Sequence, residues 1–499
     1  MTAIRPERLL LSLLLALSLA WPPLPGLLAQ EGVRLPDLGG RTEVLPPDEA
    51  RTFPNDFRNF LRAQGVLVDD PIIESYFNDM GYELVMHSDG RSRDFHFHVL
   101  KVPGINAFAA PAGVVALNAG LILAARTPDE VAGVLAHEIS HVTQNHLVRG
   151  VEAAQNVSLP VMLATLGLVM LGSIAGGMDA DTASGLLATG SGLSQQAQIN
   201  YTRQNEAEAD RIGIQLLARA GYDPIGMADF FDTLQRWSRS MGAGPPEYLR
   251  THPLTVSRVA EARDRAEQMR ANVRRNDDRQ QRFELVRARL QVEMAEHADH
   301  AIDQFRARLA GEEGSEVANR YGMALALIRA RRTSEAEEHV NWLLRQGPDE
   351  QLFQLLNGDL LIARNRIDEA VENHELLYQA YGGSTLVALA YAGALLRSEN
   401  ADHARRAMEM LQRQQRRNPQ DTRITEMLAR AANAAGEPVR AAEAVATNYY
   451  QRGGLPQAME QLQRVLDRDD LDYYDRARIS ARLDQMRTEM LRSQRQPTG

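Results

Sequence analysis

Residues 127–150 read TPDEVAGVLAHEISHVTQNHLVRG, with His137, Glu138 and His141 in the order H-E-x-x-H. The start of this stretch predicts a helix. Thr127 is a good N-cap, Pro128 suits the first helical position, and Glu130, three residues after the cap, completes a capping box. On a helix of ~3.6 residues per turn, positions four apart share a face about 6 Å apart along the axis, so the two imidazoles can converge on one metal ion. Glu138 then flanks that ion. A carboxylate there can act as general base toward a water that zinc has made acidic, with a peptide carbonyl as the target.

A solvated polar helix face is the bland alternative. Val131, Val134, Leu135 and Val142 give the same helix a buried side, which places the histidines at the border of a core. A catalytic zinc site needs a third protein ligand. The extended pattern H-E-x-x-H-x-x-G-x-x-H requires glycine at position 144 and histidine at position 147, where the chain has Gln144 and Leu147. Reprolysin-like and matrixin-like enzymes are thereby set aside, and the third ligand must come from further along.

With 499 residues the chain has room for two or more domains, and 44% hydrophobic with 24% charged residues is ordinary for globular protein. The balance of 55 basic against 65 acidic residues leaves a formal charge of −10, which offers no electrostatic footprint for nucleic acid. No nucleic-acid partner is expected. Lys101 is the only lysine, a compositional bias without mechanistic content. The absence of cysteine excludes disulfides, thiolate metal ligands and a lipoprotein acylation site.

Along the chain, Arg5 and Arg8 precede the apolar run Leu9 to Trp21 and a Pro-rich stretch ending Leu27-Leu28-Ala29. Residues 1–29 read as a secretory signal peptide, with an uncleaved anchor as the alternative. Export of a cysteine-free chain suggests the bacterial periplasm. Gln30 to Pro54 reads as an extended lead-in and Asp56 to about Ser88 as helical. Phe95, Phe97 and Val99 alternate with His96 and His98, so Asp94 to Lys101 is expected to be a half-buried strand whose exposed face carries the two histidines. A chelating pair is the alternative there. Two further short strands, Ile105 to Ala109 and Val114 to Leu117, flank a turn at Pro111-Ala112-Gly113. An edge strand beside a protease site can bind an extended peptide by main-chain hydrogen bonds.

Val157 to Met178 carries no charge across 22 residues. That length permits a membrane span, but Pro160, four glycines and several alanines lower its hydrophobicity. A buried or membrane-surface helical hairpin beside the cleft, a mobile lid included, is the expectation; a true span and plain core are the alternatives.

Tyr201 to Tyr222, YTRQNEAEADRIGIQLLARAGY, reads as a helix stopped by Gly221 and Asp223-Pro224. Glu206 and Asp210 are four apart and share a face, while Glu208 lies about 200° round the helix from Glu206. This nominates Glu206 as the third metal ligand. Asp210 becomes the carboxylate that accepts the other N–H of a ligand histidine and fixes its tautomer. Glu208 is left as a solvated or salt-bridged bystander.

HEISH at 137–141, Thr202-Arg203 leading into Glu206-Ala-Glu-Ala-Asp210, Asn106-Ala107-Phe108 before a Pro/Gly turn, and Thr251-His252-Pro253 with Arg258 together resemble the zinc peptidases related to the CAAX prenyl proteases. The resemblance covers roughly 55–270 and is strongest to an exported branch that also carries tetratricopeptide repeats. It implies that His137, His141 and Glu206 bind one zinc ion per chain. It also implies that His252 approaches that ion as a fourth ligand or a transition-state donor; on sequence alone a lone histidine before a proline is ordinarily surface decoration. If His252 takes zinc's open position, the isolated enzyme is latent. A Pro-Gly-Gly turn is usual in the family, and Ala112 departs from it.

Arg258 to about Arg282 is strongly charged and reads as an exposed helix or linker closing the protease. Beyond it Ala301, Ala336, Ala370, Ala407 and Ala441 recur at spacings of 35, 34, 37 and 34, close to the ~34 of tetratricopeptide repeats. Ala324, Gly358 and Ala429 stand twelve before three of them, and Pro348 and Pro419 twelve after two. The consensus tryptophan is absent, so these are degenerate repeats, with a plain helical bundle as the alternative. Such an array stacks helix hairpins into a solenoid whose concave face holds a peptide or partner.

The expected architecture is mainly α: a signal peptide (1–29), a zincin-like α+β metalloprotease domain (30–282) and an α-solenoid of tetratricopeptide repeats (283–495). The expected function is a periplasmic zinc endopeptidase with Glu138 as base, Asp210 in support and His252 as oxyanion donor when its loop moves. The resemblance implies that its substrates are unfolded or misassembled outer-membrane β-barrel proteins at the assembly machinery. The competing reading is a repeat-based chaperone or adaptor of that machinery with a latent or structural zinc site. A third makes it an integral membrane protease through Val157 to Met178. Glu138 argues for the enzyme, since a structural site has no need of it.

Overall fold

The structure is a computed structural model that describes residues 45, 47–90, 94–153, 192–240, 246–270, 277–419, 421–469 and 471–495. The signal-peptide reading of 1–29 and the uncharged segment Val157 to Met178 lie outside the described residues. Among those described, no helix is long and apolar enough to cross a membrane.

The helical reading of 56–88 resolves into α1 (Pro47–Ala63) and α2 (Pro71–Met86). Gly65, at φ +68°, turns the chain between them. Asp70 caps α2, accepting from the N–H of Ile72 and Ile73 at 3.0 and 3.1 Å. α1 starts within the stretch expected to be extended and contains Pro54. The extended reading is therefore corrected from Pro47 onward. An apolar face with Phe57 and Leu61, packed in one cluster with Leu100 and Ala116, outweighs the single backbone bond that proline removes.

Strands β1 (His96–Leu100), β2 (Ala107–Ala110) and β3 (Val114–Asn118) form a sheet of order β1-β3-β2. β1 pairs parallel with β3 (His96 opposite Val114), and β2 pairs antiparallel (Ala107 opposite Leu117). In the β2–β3 turn Ala112 and Gly113 both have positive φ, 55° and 72°. A Cβ at Gly113 would lie 2.0 Å from the Asp94 carbonyl oxygen, so only glycine fits there. Ala112 takes the left-handed conformation at a cost of about 1–2 kcal/mol, and the hairpin keeps its shape. The half-buried reading of β1 is corrected: His98 is only 8% exposed, its ring 6.4 Å from that of Phe57, because α1 covers the face expected to meet solvent.

Helices α3 (Ala119–Ala124), α4 (Pro128–Thr143), α5 (His146–Ala153), α6 (Gly192–Arg219), α7 (Ile225–Ser240), α8 (Glu247–Thr251) and α9 (Val256–Met269) complete the α+β region. α4 is the helix expected from the H-E-x-x-H stretch. Thr127 Oγ1 accepts from Glu130 N–H at 3.3 Å, and Glu130 reaches back to the N–H of Arg126 rather than to that of the cap. α4 packs against α2, α6, α7 and β2. Two glycines allow this crowding. A Cβ on Gly133 would stand 2.9 Å from Met227 Cα of α7, and one on Gly213 of α6 would stand 3.2 Å from His137 N. The second approach brings α6 close enough to deliver its acids to the histidines.

The remaining helices are α10 (Asp277–Met294), α11 (Ala298–Ala310), α12 (Glu316–Arg329), α13 (Thr333–Gln346), α14 (Gln351–Ala363), α15 (Ile367–Tyr381), α16 (Thr385–Arg397), α17 (Ala401–Arg417), α18 (Thr422–Ala434), α19 (Pro438–Gln451), α20 (Leu455–Leu466) and α21 (Tyr473–Arg495). They stack hairpin on hairpin as an α-solenoid. Ala301, Ala336, Ala370 and Ala441 each occupy the fourth residue of their helix, but Ala407 does not: in α17 that place belongs to Ala404. This is a correction to the register. With Ala404, the residue twelve before is the buried Ala392, which supplies the small A-helix residue missing from the sequence pattern. α17 runs to 17 residues, so the extra length lies after Ala404 and delays Pro419.

Residues 282 and 283 are consecutive within α10, which packs on α2 and α3 and also on α12. One hydrophobic cluster runs from Val68 and Ile73 through Leu135 and Phe283 to Leu356 and Val387. Arg289 of α10 fastens the junction, its Nε 2.7 Å from Asp70 Oδ2 and its Nη1 3.3 Å from the Tyr321 hydroxyl.

Candidate metal centre

His137 and His141, one turn apart on α4, bring their Nε2 atoms within 3.0 Å. From α6, Glu206 places Oε2 3.4 Å from His137 Nε2 and Oε1 3.4 Å from His141 Nε2. His252, just after α8, sets Nδ1 3.3 Å from His137 Nε2 and 3.0 Å from Glu206 Oε1. One donor atom of each of the four lies within 4.8 Å of all the others. Tetrahedral zinc with ligands at ~2.0–2.1 Å separates its donor atoms by about 3.3 Å, so the cluster matches that geometry. Two imidazoles and a carboxylate are also the donor types zinc takes at catalytic sites.

Charged contacts hold these donors in place. His137 Nδ1 lies 3.0 Å from Asp210 Oδ1, one helical turn beyond Glu206. Arg258 of α9 grips Asp210 through Nε at 2.7 Å and Nη2 at 2.9 Å, and its Nη1 stands 2.9 Å from Glu206 Oε2. The same Nη1 donates to the Pro253 carbonyl at 2.8 Å, tying the His252 loop to α6. The His252 ring stacks on Tyr248 at 4.7 Å, and the His252 backbone N–H donates to the Tyr248 carbonyl at 2.8 Å. Glu138 is 1% exposed. Its Oε1 has no hydrogen-bond partner among the described residues and faces His252 Nε2 at 3.5 Å. The backbone of Ala109, on β2, hydrogen-bonds to the same carboxylate.

The electrostatics divide the carboxylates by role. Burial pushes the Glu138 carboxyl up, offset in part by His252 and His137, which makes it a better proton acceptor than an exposed glutamate. Burial would do the same to Glu206 and Asp210, but His252 and His137 hold Glu206 well below the usual range, and His137 with Arg258 holds Asp210 down. Burial pushes the His141 imidazole well down, toward the neutral form a ligand needs.

The structure brings together every residue nominated from the sequence: His137, Glu138, His141, Glu206, Asp210 and His252. Arg258, placed in a charged segment expected to be exposed, is instead 7% exposed and central; its position after T-H-P was the available signal. Tyr248 carried no signal. His146, five residues beyond His141, was also given no role, yet its Nδ1 lies 3.0 Å from His141 Nδ1 and its Nε2 3.1 Å from Glu208 Oε2. Glu208 is salt-bridged, as expected, to Arg149 at 2.9 Å.

An H-E-x-x-H helix facing a buried glutamate from a second helix defines the class, and the chain is a metalloendopeptidase. Residues 73–266 match the family model described as peptidase family M48. The chain is 32% identical over 455 residues to the beta-barrel assembly-enhancing protease of Escherichia coli K12, covering 91% of each chain, and 32% identical over 457 residues to that of Yersinia pestis, again covering 91% of each. It is 34% identical over 163 residues to the mitochondrial metalloendopeptidase OMA1 of Bos taurus, covering 31% of this chain and 29% of that one. The chain belongs to peptidase family M48, among the beta-barrel assembly-enhancing proteases.

Proposed function

We propose that this metalloendopeptidase is a periplasmic zinc enzyme that degrades misassembled outer-membrane β-barrel proteins, and that His137, His141 and Glu206 hold its zinc. The observation that carries this reading is the convergence of those donors beside the buried Oε1 of Glu138, which has no hydrogen bond among the described residues. Zinc bound there supplies a Lewis acid for the scissile carbonyl and acidifies water. Glu138 takes the proton from the attacking water and returns it to the leaving amine. Asp210 keeps the His137 proton on Nδ1, leaving Nε2 free to ligate. β2 runs beside Glu138 with one edge unpaired by any described strand, a place for substrate to add as an extended strand. We assign 30–282 to the protease and 283–495 to the repeats, α10 being shared between them. The concave face of the repeats is the place for substrate or for the assembly machinery whose enhancement gives the relatives their name.

A second reading, an enzyme latent at rest or acting chiefly as a chaperone, is favoured by one observation: His252 sits among the donors, bonded to Glu206. The test is cleavage of an unfolded outer-membrane protein by the purified protein, with and without chelator, beside Glu138→Gln and His252→Ala. Chelator-sensitive cleavage lost in Glu138→Gln supports the peptidase. Cleavage that appears only in His252→Ala supports latency, and none in either variant or wild type leaves the chaperone reading.

A further inference from the structure

The two histidines of α4 are oriented by different means. His137 Nδ1 meets a carboxylate directly, Asp210 at 3.0 Å. Among the described residues no carboxylate meets His141 Nδ1; it meets another imidazole, His146 Nδ1, at 3.0 Å. Two ring nitrogens that close require one to carry a proton and the other to present its lone pair. For His141 to offer Nε2 to the metal its proton must sit on Nδ1, so His146 must accept there and carry its own proton on Nε2. That nitrogen lies 3.1 Å from Glu208 Oε2, an acceptor-only carboxylate anchored by Arg149 at 2.9 Å. The order Arg149, Glu208, His146, His141 is therefore a chain of donors and acceptors with one consistent assignment of protons.

We propose that His146 and Glu208 are positioning residues that lock His141 in its metal-binding tautomer. The arrangement uses local geometry throughout. His141 lies in the last turn of α4, Asn145 takes a left-handed φ of 54°, and α5 starts at His146, which turns that ring back toward His141. Glu208 points to this side because it lies about 200° round α6 from Glu206. One helix thus serves both ligand histidines from opposite flanks. His146 is 5% exposed, so water competes little for its nitrogens.

The proposal rests on His141 being a ligand, and the test separates the two. Zinc affinity of the purified protein is measured by competition with a chromogenic chelator for wild type, His141→Ala, His146→Leu, His146→Asn and Glu208→Ala, together with the visible spectrum of each cobalt(II)-loaded protein. The Asn oxygen can stand where Nδ1 stood and accept from His141. His146→Leu should bind zinc about 10- to 100-fold more weakly and shift the cobalt bands, with His146→Asn restoring most of the affinity. Glu208→Ala, at a partly exposed position, should weaken zinc in the same direction and serves if His146→Leu does not fold. Thermal unfolding in excess chelator should be alike in wild type and His146→Asn. Wild-type affinity in both His146→Leu and Glu208→Ala overturns the proposal, as does a loss in His146→Asn as large as in His146→Leu. Wild-type affinity in His141→Ala overturns the ligand assignment instead.

Discussion

Arg258 binds Glu206 and Asp210 of α6 at once, with Nε 2.7 Å from Asp210 Oδ2 and Nη1 2.9 Å from Glu206 Oε2. Its guanidinium, together with His137, keeps Asp210 ionised in a buried site, while His252 and His137 do the same for Glu206. Arg258→Ala leaves Asp210 buried and short of its partner, which should cost about 3–5 kcal/mol. Arg258→Lys keeps the charge but loses the fork, and should recover only part of that. Chemical denaturation of the three proteins checks this; an unchanged midpoint in Arg258→Ala would mean the arginine is dispensable.

In the repeats, Gly358 lets α14 rest on His374 of α15. A Cβ at 358 would come within 2.3 Å of the His374 ring. Gly358→Ala should destabilise the protein by about 1–3 kcal/mol through overpacking. Combining it with His374→Ala removes the clash, so the double variant should lose less than the sum of the single losses. Additive losses would show that the two positions do not meet.

His374 also predicts a pH dependence. Burial pushes its imidazole down to about 4, and no charged neighbour offsets this. Unfolded histidine titrates near 6.5, so between pH 6.5 and about 4 the unfolded chain holds the extra proton. This contribution to stability is full above that window and declines as pH falls through it, by up to about 1.4 kcal/mol per pH unit. Stability measured from pH 4.5 to 7 should therefore change less steeply in His374→Leu than in wild type. Parallel curves would rule the histidine out as a source.

The cluster that runs from Val68 to Val387 makes the protease region and the first repeats one packing unit. Trp237 of α7 and Trp342 of α13, which precede and follow α10 in the chain, both pack against it. Single-tryptophan reporters made by replacing the other tryptophans with Phe should show the same denaturation midpoint. Two separated midpoints would show that the halves unfold independently.

Local signals made the metal centre legible in the sequence. Thr127, Pro128 and Glu130 fix the start of α4, and spacings of four put His137 with His141 and Glu206 with Asp210. What stayed hidden came from distant partners. Arg258 looks like surface charge until α9 packs on α6, and His98 looks exposed until Phe57 covers it. Glu208 gains its neighbour only when α5 turns His146 back. The repeat register slipped at Ala407 because the added length of α17 lies after Ala404, where a spacing count cannot locate it.

The most direct test of the account is the zinc content and cleavage rate of Glu138→Gln, made in both the wild-type and His252→Ala backgrounds. The account predicts about one zinc per chain in every protein and a cleavage rate about 10²- to 10⁴-fold lower wherever Glu138 is replaced. Zinc-loaded Glu138→Gln cleaving as fast as its parent would contradict it.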